Sequence, residues 1–262
     1  GGYDEEVRCF RDCVRAGCVD GAGRLGHDYG GDRPRAECDG GRAYDATVRG
    51  ARMRLHPFDN TVERKLLLRP EQYCAVEISF LAEQLAQGGT FLDIGANIGA
   101  FTLPVASLPG VRVIAVEPNP SALARLRYNV AANGFANVAI EACALSERDG
   151  EVELTIADDD IKLSGIDAKY AHGPKVAVPT RTLADLIAEH APVPPLAIKI
   201  DVEGHEDAIL SPYFEAAAPE TRPQAIVIEA IDREETPKSL ERLMDLGYRT
   251  AFKTRANIGL TR

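Results

Sequence analysis

Tryptophan is absent from the 262 residues and aromatic side chains make up only 6% of them, so the chain offers no broad ring platform for stacking a sugar or a planar base. Basic residues are in deficit: 30 lysines and arginines against 40 aspartates and glutamates give a formal charge of −10 and a pI near 5.1. Such a field repels phosphate backbones and anionic lipid surfaces, which argues against nucleic acid and membrane as partners. No apolar run reaches the roughly 18 residues of a membrane span. The opening GGYDEEVRCF lacks the apolar stretch and small-residue cleavage pattern of a secretory leader, so a cytoplasmic location is expected. No CxxC pair occurs among the six cysteines, which removes a zinc ribbon or finger. Cys9, Cys13, Cys18 and Cys38 crowd the amino-terminal stretch, and three readings stay open for them: reduced thiols on a short helix, a disulfide pair, or an irregular metal site joined by His27.

What is present suits one α/β domain with a small appendage, since 45% of the residues are hydrophobic and 27% charged. Residues 1–50 form a Cys/Gly-rich amino-terminal appendage, with one short helix expected over Glu5 to Ala16. Residues 51–262 form the main domain. A strand is expected over Ala51 to Leu55, then helices over Thr61 to Leu68 and Val76 to Leu85, closed by Gly88 and Gly89. From Phe91 onward, strands and helices alternate. Phe91 to Ile94, Val111 to Val116, Val138 to Ala142, Leu196 to Ile200 and Ala225 to Ile228 are short apolar runs suited to a covered parallel sheet. The plainest helix runs from Pro120 to Ala132, capped by Asn119 and stopped by Gly134. Glu151 to Ile156 alternates like an added edge strand, and Tyr248 to Lys253 with Asn257 to Thr261 reads as an antiparallel closing hairpin. The fold class is therefore a doubly wound, mostly parallel sheet, whose ligands belong at the carboxyl ends of its strands.

The stretch TFLDIGANIGAFTL places Asp93 at a strand end, followed by Gly95 and Gly99. A dinucleotide site would show G-x-G-x-x-G, with the middle glycine clearing room for a pyrophosphate. Here Ala96 and Asn97 fill that gap. Glu117 closes VRVIAVE, 24 positions after Asp93, and Pro118, Asn119 and Pro120 fix the backbone that leaves the strand. A ligand with a ribose, an ammonium and a sulfonium but no phosphate fits better. Glu117 can take the ribose hydroxyls, Asp93 can favour the cationic amino-acid end, and the helix start after Asn97 can meet its carboxylate. That ligand is S-adenosylmethionine.

A second constellation is LAIKIDVEGHE, Leu196 to Glu206. Alternation puts Lys199 and Asp201 on one side of a strand that should be apolar on both faces, and unpartnered polar groups there cost energy. Glu203, His205 and Glu206 follow across Gly204, so several ionisable groups converge at one strand end beside the glycine turn.

FLDIGANIGAFT, AVEPNP, the A-L-S at Ala144 to Ser146, KIDVEGHE and IVIE together resemble the FkbM family of S-adenosylmethionine-dependent methyltransferases, and HPFDNTVERKLL resembles the lead-in of its bacterial members. The likeness spans residues 51–262. It implies a Rossmann-like class I methyltransferase fold and O-methylation of a hydroxyl on a small molecule, sugar or natural product. Matched by motif, Asp93, Gly95, Ala96, Asn97, Gly99, Glu117, Pro118, Asn119, Ala144 and Leu145 would hold the cofactor. Lys199, Asp201, Glu203 and His205 would face the acceptor. The Cys-rich start falls outside the pattern.

In-line displacement needs acceptor oxygen and methyl carbon about 3 Å apart and aligned, and a base to take the hydroxyl proton. His205 or Asp201 is expected in that role, with Lys199 steadying negative charge. A metal variant is also open, in which Asp201 and Glu229, with Asp232 behind, hold Mg²⁺. The competing readings are a methyltransferase acting on protein or RNA, a non-catalytic S-adenosylmethionine-binding protein, and a nicotinamide-dependent oxidoreductase. A lid is expected from the Thr61 to Ala86 helices and the loop from Asp158 to Pro174.

Overall fold

The computed structural model describes residues 43–158, 160–166, 172–229 and 238–262. The expected helix over Glu5 to Ala16, the four early cysteines and Asp232 lie outside those residues. The strands are β1 (Tyr44–Val48), β2 (Ala51–Leu55), β3 (Gly89–Ile94), β4 (Val111–Val116), β5 (Val138–Glu141), β6 (Ala144–Leu145), β7 (Gly150–Thr155), β8 (Lys175–Arg181), β9 (Leu196–Ile200), β10 (Ala225–Glu229), β11 (Arg249–Lys253) and β12 (Asn257–Thr261).

Seven of them make one sheet in the order β11-β12-β10-β9-β3-β4-β5. The five strands from β10 to β5 run parallel, while β12 is antiparallel to both β10 and β11. The sequence order turns back between β3 and β9, so their carboxyl ends flank a crevice, as a doubly wound sheet requires. Both faces are covered. Helices at Thr61–Leu68, Ala75–Gln84, Thr102–Ala106 and Pro120–Asn133 supply or adjoin the core on one face. Those at Leu183–His190, Glu206–Ala216 and Lys238–Asp245 cover the other.

Burial on both faces explains why β3, β9 and β10 are continuous apolar runs, and every residue in them is buried. The charged interruptions are few and all near the carboxyl ends: Asp93 in β3, Lys199 in β9 and Glu229 in β10. Asp93 and Lys199 are register partners across the β3–β9 ladder.

The expected helix from Pro120 ends at Asn133, capped as anticipated: Asn119 Oδ1 accepts from Ser121 N at 3.0 Å, and Gly134 takes a left-handed φ of 65°. Two expectations change. Strand β7 is not an edge of the main sheet. It joins a separate three-stranded sheet in the order β6-β8-β7, because β8, which the sequence reading left unassigned, pairs with it along its whole length. The division at residue 50 meets a tight hairpin: β1 pairs with β2 from Tyr44↔Leu55 to Val48↔Ala51. Asn129 and Asn133 of the long helix accept from the backbone N–H groups of Arg54 and Arg52 at 2.7 and 2.8 Å, satisfying the β2 edge. Among the described residues, no helix is long and apolar enough to cross a membrane.

Candidate functional site

The glycine turn after β3 is shaped by what lies beside it. Gly95 has a φ of +74°, and a Cβ there would stand 1.9 Å from the carbonyl oxygen of Asp201, so only glycine lets the ends of β3 and β9 close together. Beyond it, Asn97 takes a φ of 50° and its N–H donates to Glu117 Oε2 at 2.7 Å. Asn119 N donates to the other oxygen, Oε1, at 2.8 Å. Glu117 is thereby pinned at the end of β4 by two main-chain donors, one from each neighbouring loop. Burial pushes its pKa up to about 7, with the two N–H groups pulling the other way.

Those residues face one cavity. Gly95, Ala96, Asn97, Glu117, Pro118, Asn119, Ala144 and Leu145 line it on one side, and Lys199, Asp201, Glu203 and His205 at the other. The structure therefore brings together twelve of the expected site residues. Asp93 and Gly99 are not among the lining residues. Asp93 is fully buried; its Oδ2 accepts from Thr102 Oγ1 at 2.6 Å, while Oδ1 has no hydrogen-bond donor and lies 3.8 Å from Lys199 Nζ. It acts on the site through Lys199. Gly99, with a φ of +97°, makes room for the Leu126 side chain 3.0 Å from where a Cβ would be, a packing role.

Lys199 ties the halves together. Its ammonium donates to Gly95 O at 3.0 Å, stands 3.7 Å from Asp201 Oδ2, and lies 5.3 Å from the centre of the Phe101 ring. Burial works against its charge, but Asp201 and Asp93 outweigh that and raise its pKa. Asp201 moves the opposite way: burial is overcome by Lys199 and Lys162, which hold its carboxyl below the usual range. His205 Nε2 is 3.2 Å from Ser146 Oγ, the serine after β6.

Sequence reasoning missed Lys162. It sits on a single 3₁₀ turn, Ile161–Leu163, and its ammonium contacts Glu203, with Glu229 Oε1 at 3.4 Å and Asp201 Oδ1 at 3.7 Å. Burial disfavours its charge, yet the three carboxylates raise its pKa. Burial and the neighbouring Asp201 push Glu229 up to about 8. Oxygens of Asp201, Glu203 and Glu229 lie within 4.8 Å of one another, the set that a divalent cation would need. The positive charge among them is already the Lys162 ammonium, so the residues present do not fit the Mg²⁺ variant. Phe101 and Cys143 also line the cavity without having been anticipated, while Tyr73 and Ser164 come from the two stretches expected to form its lid. Cys143 is a free thiol whose pKa burial raises to about 11. No local periodicity marks any of these; each arrives through long-range folding.

The profile of the Methyltransferase FkbM domain matches residues 93–250, more than half of the chain. The chain belongs to the FkbM methyltransferase family. It is an enzyme of the methyltransferase class, and its sheet is the Rossmann-like class I methyltransferase arrangement. It is 29% identical over 180 residues to the 31-O-demethyl-FK506 methyltransferase FkbM of Streptomyces tacrolimicus, an alignment covering 57% of this chain and 68% of that protein. It is 35% identical over 94 residues to a release factor glutamine methyltransferase of Mycolicibacterium smegmatis, of which it spans about a third (33%), against 34% of this chain. Similar solved structures include the precorrin-6y C5,15-methyltransferase of Geobacter metallireducens, at a TM-score of 0.45 and 18% identity, covering 79% of this chain and 95% of that one. An rRNA methylase of Streptococcus thermophilus has a TM-score of 0.40 and 14% identity, covering 71% and 94%.

Proposed function

We propose that this FkbM-family protein transfers a methyl group from S-adenosylmethionine to a hydroxyl of a small molecule. The observation that carries the reading is that Glu117, held by two main-chain donors, opens into the same cavity as Lys199, Asp201 and His205. With one backbone N–H on each oxygen, the carboxylate keeps acceptor capacity for two ribose hydroxyls. Cys143, Ala144, Leu145, Pro118 and Ile161 add apolar lining to that cavity, the kind of surface an adenine ring would need. The name of the Streptomyces tacrolimicus relative describes O-methylation, which supports oxygen as the acceptor atom. The formal charge of −10 disfavours a nucleic-acid acceptor.

When bound, S-adenosylmethionine supplies a methyl carbon on a positively charged sulfur. The chain's own residues orient the acceptor and move its proton. Asp201, kept ionised by two ammonium groups, is a weak proton acceptor and serves by accepting a hydrogen bond and balancing charge. His205, set against Ser146, takes the hydroxyl proton as the oxygen–carbon bond forms. Lys199 fixes the glycine turn and steadies negative charge on the acceptor.

The test is a screen of hydroxylated metabolites, whole-cell protein and RNA with isotope-labelled methyl donor, followed by mass localisation of the label. Label on an oxygen of a small molecule is expected. Label confined to protein or RNA would replace the acceptor class. With an acceptor in hand, His205→Ala should lower kcat by about 10²-fold or more, with little change in donor affinity. Turnover unchanged in both His205→Ala and Asp201→Asn would remove these residues from the chemistry.

A further inference from the structure

One cavity wall is a strap, residues 160–166, of which Ile161, Lys162, Ser164, Gly165 and Ile166 face the interior. Its backbone is anchored at both ends. Asp160 Oδ1 accepts from Thr61 N at 3.0 Å, and Ile161 N donates to Asp59 O at 3.0 Å. Gly165 and Thr155 exchange N–H···O bonds at 3.2 and 3.1 Å. Between these anchors the strap touches the two ends of the cavity, and at one of them Asn119 Nδ2 also donates to Ile161 O at 3.5 Å. Ser164 Oγ accepts from Asn119 Nδ2 at 3.1 Å, next to Glu117. Lys162 reaches the carboxylates that end β9 and β10.

An exposed lysine pair contributes about 0–1 kcal/mol, too little to hold a segment in place. Lys162 differs: its side chain is only 17% exposed, and Glu229 beside it 5%. Removing one partner of such a buried set leaves charge uncompensated and is far more costly than losing a surface pair. The lysine methylene stem also loses rotamer freedom that the three carboxylates must offset. A charge placed there for general solubility would not be buried against three acids.

We propose that Lys162 is a positioning residue of the methyl-transfer site: it fastens the strap of residues 160–166 to Asp201, Glu203 and Glu229, and thereby retains the cofactor behind that wall. What lies behind the strap rests on the S-adenosylmethionine reading, whereas the fastening is a property of the free protein. The two are therefore tested separately.

Hydrogen exchange of the ligand-free protein reads the fastening at the amides of Ile161, Leu163, Ser164 and Gly165. Lys162→Met should speed their exchange about tenfold or more, the change that corresponds to about 1.4 kcal/mol of local opening. Lys162→Arg should restore them to within about threefold, since it keeps the charge. Lys175→Met, which breaks the exposed pair of Lys175 with Glu153, should leave them unchanged. If Lys162→Met unfolds globally, seen as equal acceleration in β3 and β9, Glu203→Gln becomes the deciding variant and must show the same local acceleration. Strap exchange at the wild-type rate in Lys162→Met, or in Glu203→Gln where that variant decides, overturns the fastening. In the second arm, S-adenosylhomocysteine should leave the Lys162→Met protein about tenfold faster than wild type. An unchanged rate with a loosened strap overturns the retention role. No binding of S-adenosylhomocysteine to wild type would overturn the cofactor reading and retention with it, while the exchange result still decides the fastening.

Discussion

At the ends of β3 and β4 the polar groups facing the cavity are held by the main chain, whereas at the ends of β9 and β10 they are held by one another. Glu117 is fixed by two backbone N–H groups and the turn at Gly95 by the approach of another strand. Lys199, Asp201, Glu203, Glu229 and Lys162 form a mutually dependent set of charges. The first arrangement suits a ligand that never varies. The second can be retuned by exchanging a side chain without refolding the sheet.

The comparison breaks most visibly at Lys199. Replacing it by methionine leaves Asp93 and Asp201 without their shared cation in a buried place, and a loss of about 3–5 kcal/mol is expected in urea unfolding. A loss under 1 kcal/mol would mean that the two acids become protonated instead and the charges are not mutually dependent. Gly95→Ala tests the main-chain half. The added methyl would meet the Asp201 carbonyl at 1.9 Å in a left-handed conformation, so about 3 kcal/mol of stability should go, together with S-adenosylhomocysteine binding.

Glu117→Ala should weaken S-adenosylhomocysteine binding about 100-fold by calorimetry, through the lost ribose acceptor and two orphaned N–H groups. Binding within threefold of wild type would detach Glu117 from the cofactor.

A gentler effect is expected from pH. The Glu229 carboxyl has a folded pKa of about 8 against the usual 4.5, so it is raised. Its contribution to stability is complete below the unfolded value and is lost as pH rises through the folded one. The Tm of wild type should therefore fall between pH 5 and pH 8 relative to that of Glu229→Gln, by a few degrees; parallel curves would show that the Lys162 ammonium keeps Glu229 ionised throughout.

These two halves were not equally legible in the sequence. The parallel strands, the long capped helix and the closing hairpin follow from apolar runs and cap residues, which are local signals. So does Glu117, because an acid ending a buried strand is conspicuous. Lys199 and Asp201 stood out for the same reason. Lys162 did not, since a lysine in a polar loop looks like any solvated lysine until the chain brings three acids to it. Asp93 shows what a strand-end position leaves unsaid: its carboxylate is buried beside Thr102 and Lys199, partners that come from other elements and that no local pattern announces. The second sheet was hidden because β6 has only two residues and β8 carries Pro179 within it, so neither reads as a strand by itself.

Strand β12 is threaded between β10 and β11, so Ile258 and Leu260 pack inside the sheet although they follow both neighbouring strands in the chain. During synthesis the neighbouring flank of β10, with Ile226, Ile228 and Glu229, stays an open ladder until residue 261 has left the ribosome. A premature stop as few as six codons upstream of Arg262 would leave that ladder unpaired and sticky, making prompt degradation or aggregation, not a slightly weaker enzyme, the fate of such a product.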